Sequence, residues 1–464
     1  MYMSVAPTPL TMRIELAGPH HIDAVLAVFG DQNVPVTTQR AVGATGSPIA
    51  VELSCNVTDY LQSERLRSAL IELDGVHILD VGDRTFLLHD MGMIAVTPTV
   101  PLENLDDLSM AYTPGVARIS TAIAEDPGKA DTLTIKRNTV AVVTDGSAVL
   151  GLGNIGPLAA LPVMEGKALL FKRLGGVDAW PVCLATQDPD EIVRVVECLA
   201  PVYGGINLED ISAPRCFEIE RRLRASLDIP VFHDDQHGTA IVVFAALTNA
   251  LRVVGKSMSD VRVVVLGTGA AGVAIIKLLL AEGVGDVIGV NRGGILSEGR
   301  GDLDDERRWV AANSNASNRF GDLAAAVAGA DVLIGVSGPN LISEEDLESL
   351  APDSIVFALA NPDPEVDPAL ARRHAAVVAT GRSGEPNQIN NVLVFPGLFR
   401  GLLDVGATQV TEAMSIEVGR ALADVVPKQD LSPELIIPTV FDPGVVPAVS
   451  SAVQRTVVQS RHGA

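Results

Sequence analysis

The chain has 464 residues, 47% hydrophobic and 20% charged, the composition of a globular protein with room for about three domains at roughly 150 residues each. Its 57 acids exceed its 34 lysines and arginines by 23, so its surface repels phosphate backbones and anionic lipids, and neither nucleic-acid binding nor membrane attachment is expected. Cys55, Cys183, Cys198 and Cys216 form no CxxC pair and stand among apolar neighbours, which predicts buried free thiols; the opening MYMSVAPTPL lacks the basic-then-apolar pattern of a secretory signal, so a cytoplasmic protein is expected.

In chain order, the first segment reads as strand 12–17, helix 21–29, strands 34–43 and 48–55, helix 60–73 and strand 75–88, a βαββαβ succession. That succession and the GPHHID turn at Gly18 resemble the ACT family of small regulatory domains, which implies a ferredoxin-like fold and a paired arrangement, serving either an amino-acid effector or dimerisation alone. A linker rich in Pro and Asp, TPTVPLENLDDLSMAYTPGVAR, follows. Strands then alternate with helices, placed at 139–144, 177–185, 205–209 and 229–233, the pattern of a doubly wound α/β domain. From Gly238 a long apolar helix, TAIVVFAALTNALRVV, leads into a second α/β unit that begins VRVVVL. The division expected is 1–95, 96–237 and 238–464.

VRVVVLGTGAAG joins a strand directly to Gly267, Thr268, Gly269, Ala270, Ala271 and Gly272, and a helix follows. This is the full context of a Rossmann-type dinucleotide loop. The next strand, DVIGVN, ends at Asn291 and Arg292, where an acid would normally receive the ribose 2′-hydroxyl of NAD; the absence of that acid leans towards NADP or dual use. A second match, GLGNIG at Gly151, stands several residues beyond its strand and reads as a loop packed near the active cleft.

Adjacent acids are common by chance in so acidic a chain. Glu209-Asp210 and Asp234-Asp235 differ in position, because each pair closes an apolar strand and precedes a helix, where open α/β sheets bind their ligands. Two neighbouring strand ends would bring three or four carboxylates together, which calls for a divalent cation, and all-oxygen ligation suits Mg²⁺ or Mn²⁺. Glu209 and Asp210 can share one ion only where the strand breaks. His233 and His237 flank the second pair as supporting residues. Lys167, one of seven lysines, lies among apolar helix neighbours in MEGKALLF, and is either a snorkelling side chain or a base whose pKa burial and a nearby cation lower. Tyr112 opens YTPGVAR, as a structural turn residue or as a proton donor.

YTPGVA, TDGSAVLGLGNIG, MEGKALLFK, INLEDI, VFHDDQHGTA, GTGAAG, FALANPDPE and PNQINNVLVFPG, in this order from about Leu105 to Ala423, resemble the malic enzymes. The appended ACT-like segment resembles an arrangement in some bacterial members. The resemblance implies metal- and NAD(P)-dependent oxidative decarboxylation of L-malate to pyruvate and CO₂, decarboxylation of oxaloacetate, and a homodimer or higher homo-oligomer. It implies Tyr112 as proton donor, Lys167 as proton acceptor, and Glu209, Asp210 and Asp235 as metal ligands. Asn361 and Asn390 or Asn391 would meet malate or the nicotinamide end, and the glycines 267, 269 and 272 the pyrophosphate. Ala148 stands where longer members carry a substrate arginine, leaving the asparagines, Lys167 and the metal to anchor the carboxylate. Two rival readings are an amino-acid or hydroxy-acid dehydrogenase, which needs no carboxylate-bound metal, and a non-catalytic amino-acid sensor.

Overall fold

The computed structural model describes residues 8–42, 49–58, 60–82, 84–149 and 151–462. Gly43, Pro48 and Asp83, which the sequence places in strands, lie outside them. The chain forms two compact units, Met1–Ala95 and Val96–Ala464.

The first unit is an antiparallel sheet of β1 (Thr8–Leu16), β2 (Val36–Val42), β3 (Ile49–Val57) and β4 (Val76–Gly82), in the order β2-β3-β1-β4, with helices His21–Asp31 and Tyr60–Ile71 in the two crossovers. This is ferredoxin-like topology. Alternation puts Leu10, Met12, Ile14 and Leu16 of β1 on one buried face with Val25, Phe29, Leu66 and Leu70 of the helices. One expectation is corrected: strand 75–88 ends at Gly82, and Arg84–His89 is helical. Beyond Gly82 the alternation stops, and RTFLLH carries no Gly or Pro to oppose a helical turn.

The second unit holds two parallel-strand layers. The smaller sheet comprises β5 (Thr139–Thr144), β6 (Asp178–Cys183), β7 (Gly205–Leu208) and β8 (Val231–His233), in the order β6-β5-β7-β8 and all parallel. The chain moves one way from β5 to β6 and the other way to β7, so the strand order reverses between β5 and β7, and ligands bind outside the carboxyl ends at such a point. The larger sheet comprises β9 (Arg262–Leu266), β10 (Asp286–Asn291), the two-residue antiparallel β11 (Gly294–Ile295), β12 (Val332–Gly335), β13 (Ile355–Ala358) and β14 (Val377–Thr380). Its order, β11-β10-β9-β12-β13-β14, is that of a Rossmann-type domain, with the reversal between β9 and β12.

Helix Thr239–Val254 joins the two sheets. It buries eleven of its sixteen residues in the core shared by β5, β9, β12 and the C-terminal helices, so the one described segment long and apolar enough to cross a membrane, Asp234–Val254, is a core helix. The cysteines are free, but only Cys55 and Cys216 are buried; Cys198 is exposed on helix Pro189–Leu199, whose apolar stripe is carried by Ile192, Val193 and Val196 instead.

Candidate active site

Glu209 follows the last residue of β7, and Asp210 comes next with a φ of 53°, in the left-handed region that a side-chain-bearing residue occupies only when its surroundings hold it there. The turn breaks the alternation of strand side chains, so consecutive acids serve one site. After β8, Asp234–Gly238 wind as a single π-helical turn, a distortion often found at functional sites. One carboxylate oxygen each from Glu209, Asp210 and Asp235 lies within 4.8 Å of the others. The Asp210 backbone N–H donates to Asp235 Oδ2 at 2.8 Å, and Asn207 Nδ2 donates to Glu209 Oε2 at 3.0 Å, fixing the cluster.

Lys167 enters from helix Pro157–Gly175. It is 7% exposed, with Nζ 2.5 Å from Asp234 Oδ2, 2.9 Å from Glu209 Oε1 and 4.4 Å from the centre of the Phe395 ring. Burial pushes the carboxyl groups of Glu209 and Asp235 above their ordinary range and that of Asp234 to about 7, with Lys167 offsetting part of the rise. Burial by itself would lower the Lys167 pKa, but Asp234 and then Glu209 outweigh it and hold the ammonium above its ordinary range. One ammonium against four neighbouring carboxylates, three of them buried and that of Asp235 half-buried, leaves an excess of negative charge, and the donors they offer are hard oxygens. Glu209, Asp210 and Asp235 therefore fit a divalent cation of the Mg²⁺ or Mn²⁺ kind. His233 is fully buried, with its Nε2 3.9 Å from Asp235 Oδ2. Burial pushes His233 down to about 4, and His237 Nε2 lies 2.7 Å from Glu220 Oε1.

The nucleotide loop joins β9 to helix Ala270–Ala281. A Cβ at Gly267, where φ is 106°, would stand 2.5 Å from the Val336 carbonyl oxygen, and one at Gly272 would stand 1.8 Å from that of Gly267. At Gly269 nothing lies within 4 Å, so that glycine leaves open the approach for a pyrophosphate. Gly269 has no side chain to cap the helix that Ala270 and Ala271 begin, which leaves first-turn N–H groups for an anion. The buried Thr268 hydroxyl has no hydrogen-bond partner among the described residues. These residues fit a dinucleotide.

Comparison with known proteins agrees with this geometry. Residues 92–224 match the family described as malic enzyme, N-terminal domain, and residues 236–461 match malic enzyme, NAD binding domain. The NAD-dependent malic enzyme of Geobacillus stearothermophilus is 54% identical over 87% of this chain and 84% of its own length. The chain belongs to the malic enzyme family. The NADP-dependent malic enzyme of Escherichia coli K12 is 46% identical over 80% of this chain and 51% of its own length. The solved NAD-dependent malic enzyme of Thermotoga maritima superposes with a TM-score of 0.78 at 47% identity, over 80% of this chain and 99% of that one.

The remaining residues implied by resemblance to the malic enzymes are placed unequally. Gly151 packs on the Asn361 carbonyl, 2.3 Å from where its Cβ would stand, so the GLGNIG loop meets the ANPDPE loop. The exposed Asn361 lies on the loop after β13, the half-buried Asn390 caps a short 3-10 turn beyond β14, and the half-buried Asn391 begins that turn. Asn391 also lies against the π-turn, its Cβ 3.3 Å from the position a Gly238 Cβ would take. Asn390 spends its carbonyl oxygen on the Val392 N–H at 3.0 Å, which leaves its amide nitrogen to offer. Ala148 donates its N–H to the Asp210 carbonyl at 2.9 Å, beside the acids but without a cation. Tyr112 is not brought to the acids: it is 68% exposed, with no side-chain hydrogen bond to a described residue.

Sequence reasoning misses the roles of two residues. It marks Asp234 only as half of an acidic pair, and the bond from Lys167 to Asp234 is visible only in three dimensions. Glu365, fully buried, accepts from the N–H groups of Ser337 at 2.7 Å and Ala360 at 3.0 Å, tying together the loops after β12 and β13. Its signal in the sequence is its place in ANPDPE just after an apolar strand.

Proposed function

We propose that this chain oxidatively decarboxylates L-malate to pyruvate and CO₂ with reduction of NAD(P)⁺, and that it also decarboxylates oxaloacetate. The observation that carries this reading is the convergence of Glu209, Asp210 and Asp235 beside the Lys167–Asp234 pair at one sheet's carboxyl edge, in a chain that also holds a dinucleotide loop. Glu209, Asp210 and Asp235 would hold Mg²⁺ or Mn²⁺, and the glycine loop would hold the dinucleotide. When bound, the cation would supply charge that acidifies the C2 hydroxyl and steadies the electrons released at decarboxylation, and the dinucleotide would supply the hydride acceptor.

Lys167 Nζ takes the C2 hydroxyl proton. A cation beside Glu209 would oppose the positive charge that Asp234 and Glu209 otherwise hold on the amine, and the hydrogen bond to Asp234 gives the route by which its proton leaves beforehand. The asparagines at 361, 390 and 391 orient the substrate, and Glu365 holds the loop that carries Asn361. Tyr112 protonates C3 of the enol. Its exposure, among the outward-facing Leu105, Leu108, Met110, Val116 and Ile119, favours a homodimer in which the partner subunit's Tyr112 completes the site.

Division of the chain at 95/96 and 237/238, a cytoplasmic location, and an ACT-like regulatory role for the first unit with an amino-acid effector belong to the same reading. The last rests on the β2-β3-β1-β4 sheet order. Purified protein given L-malate, Mn²⁺ and either coenzyme should release CO₂ and reduced coenzyme in equal amounts. Oxidation of malate without CO₂ release, or no turnover at all, would overturn the reading.

A further inference from the structure

At the end of β10 an ordered set of polar contacts lies beside the nucleotide loop. Val290 pairs with Leu266 in the parallel ladder, and its carbonyl receives the Gly267 N–H at 2.9 Å, so Asn291 stands beside the pyrophosphate turn. In a Rossmann-type sheet this strand end faces the adenosine ribose. Asn291 Oδ1 accepts from the Gly293 backbone N–H at 2.9 Å and from Arg300 Nη1 at 3.1 Å. Both partners can only donate, so they identify the oxygen of the amide, and the Nδ2 group is turned to the other side with its two hydrogens free of described partners. Arg300 itself is committed. Asp302 holds it at 2.6 and 3.0 Å, and the carbonyls of Gly294 and Ile295 receive its Nη1 at 3.1 and 3.2 Å. Gly293 makes room for it, since a Cβ there would stand 2.3 Å from Arg300 Nη2. Arg292, next to Asn291, is exposed, with no hydrogen-bond or ion-pair partner among the described residues.

We propose that Asn291 Nδ2 and Arg292 form a subsite for the adenosine 2′-phosphate, so that this chain takes NADP in preference to NAD. The inference rests on the proposed dinucleotide-dependent reaction and deepens it. An acid at position 291 would present a second carboxylate oxygen to the ribose, accepting from the 2′-hydroxyl and repelling a phosphate. The amide keeps both anchoring contacts and presents a donor in the same place. Arg292 adds a local cation to a chain whose net charge of −23 otherwise opposes a dianion, and such charge acts over a Debye length of about 8 Å at physiological salt.

The test measures calorimetric binding of adenosine 2′,5′-bisphosphate and of 5′-AMP, alongside kcat/KM for NADP and NAD with malate. The unaltered protein should bind the bisphosphate about tenfold or more tightly than AMP, and raising salt from about 50 to about 500 mM should shrink that preference. Asn291→Asp keeps the contacts to Gly293 and Arg300, and should weaken the bisphosphate about a hundredfold while leaving AMP within about threefold. Arg292→Ala, at an exposed position that threatens no fold, should cost about tenfold for the bisphosphate alone. Equal affinity of the unaltered protein for the two ligands, or a bisphosphate affinity unmoved in both variants, would overturn the subsite. If malate is inert with both coenzymes while the bisphosphate preference holds, the reaction falls and the subsite stands; turnover with malate and no such preference removes the subsite and leaves the reaction in place.

Discussion

Replacing Gly238 by alanine adds one methyl group three residues beyond the last of the converging acids. The backbone there is helical, with φ −61° and ψ −46°, so by propensity alone alanine should stabilise by about 1 kcal/mol. The new Cβ, however, would stand 1.9 Å from Asp234 Oδ1 and 3.0 Å from its Cγ. A carbon and an oxygen that are not bonded do not approach so closely, so the carboxylate must move on the order of 1 Å. Its other oxygen holds Lys167 at 2.5 Å in a fully buried pair, and breaking one side of such a pair costs about 3–5 kcal/mol. With the helix gain deducted, Gly238→Ala should destabilise by about 2–4 kcal/mol, read as a lower urea midpoint or apparent Tm. It should also lower kcat with malate on the order of a hundredfold, because Lys167 is no longer held in place. In an Asp234→Ala background the carboxylate is gone, and adding Gly238→Ala should be neutral or stabilising. Stability and kcat at the level of the unaltered protein in the single variant would refute the collision. The same loss in both backgrounds would show that the crowded group is not Asp234.

Asp235→Asn should abolish Mn²⁺ binding, followed by electron paramagnetic resonance, and should remove malate oxidation and oxaloacetate decarboxylation together, because both need the cation. Tyr112→Phe and Lys167→Ala should each be inactive with malate as homodimers; an equimolar mixture with randomly reassorted subunits should recover up to about a quarter of normal turnover if Tyr112 acts across the dimer, and none if it acts within its own chain. Glu220 is held below its ordinary value of 4.5, because His237 and Arg224 outweigh the opposing effect of burial. A depressed carboxyl pKa adds stability that is present above the unfolded value and lost as pH falls through the folded one. Glu220→Gln should therefore lower the apparent Tm at pH 7, by the equivalent of about 1–3 kcal/mol, with the difference fading below pH 4.5.

The amino-acid sequence by itself determined whatever depends on neighbours along the chain. VRVVVLGTGAAG names a strand, a tight turn and a helix start because glycine's freedom and apolar runs are local properties, and the space around Gly267, Gly269 and Gly272 fits the three roles that motif assigns. The acids at 209–210 and 234–235 stand out because each pair closes an apolar strand, and strand ends are legible from composition. Only the tertiary structure decided which acid does what. A left-handed φ at Asp210 and a π-turn at 234–238 rotate neighbouring carboxylates so that Asp235 joins the oxygen cluster while Asp234 holds Lys167. Likewise the orientation of the Asn291 amide comes from an arginine nine residues away, and the exposure of Tyr112 from what its helices leave uncovered. Periodicity reports which face a residue occupies. The direction of a polar side chain is set by partners that meet it only when distant segments pack, because a buried charge is stable only where such a partner stands.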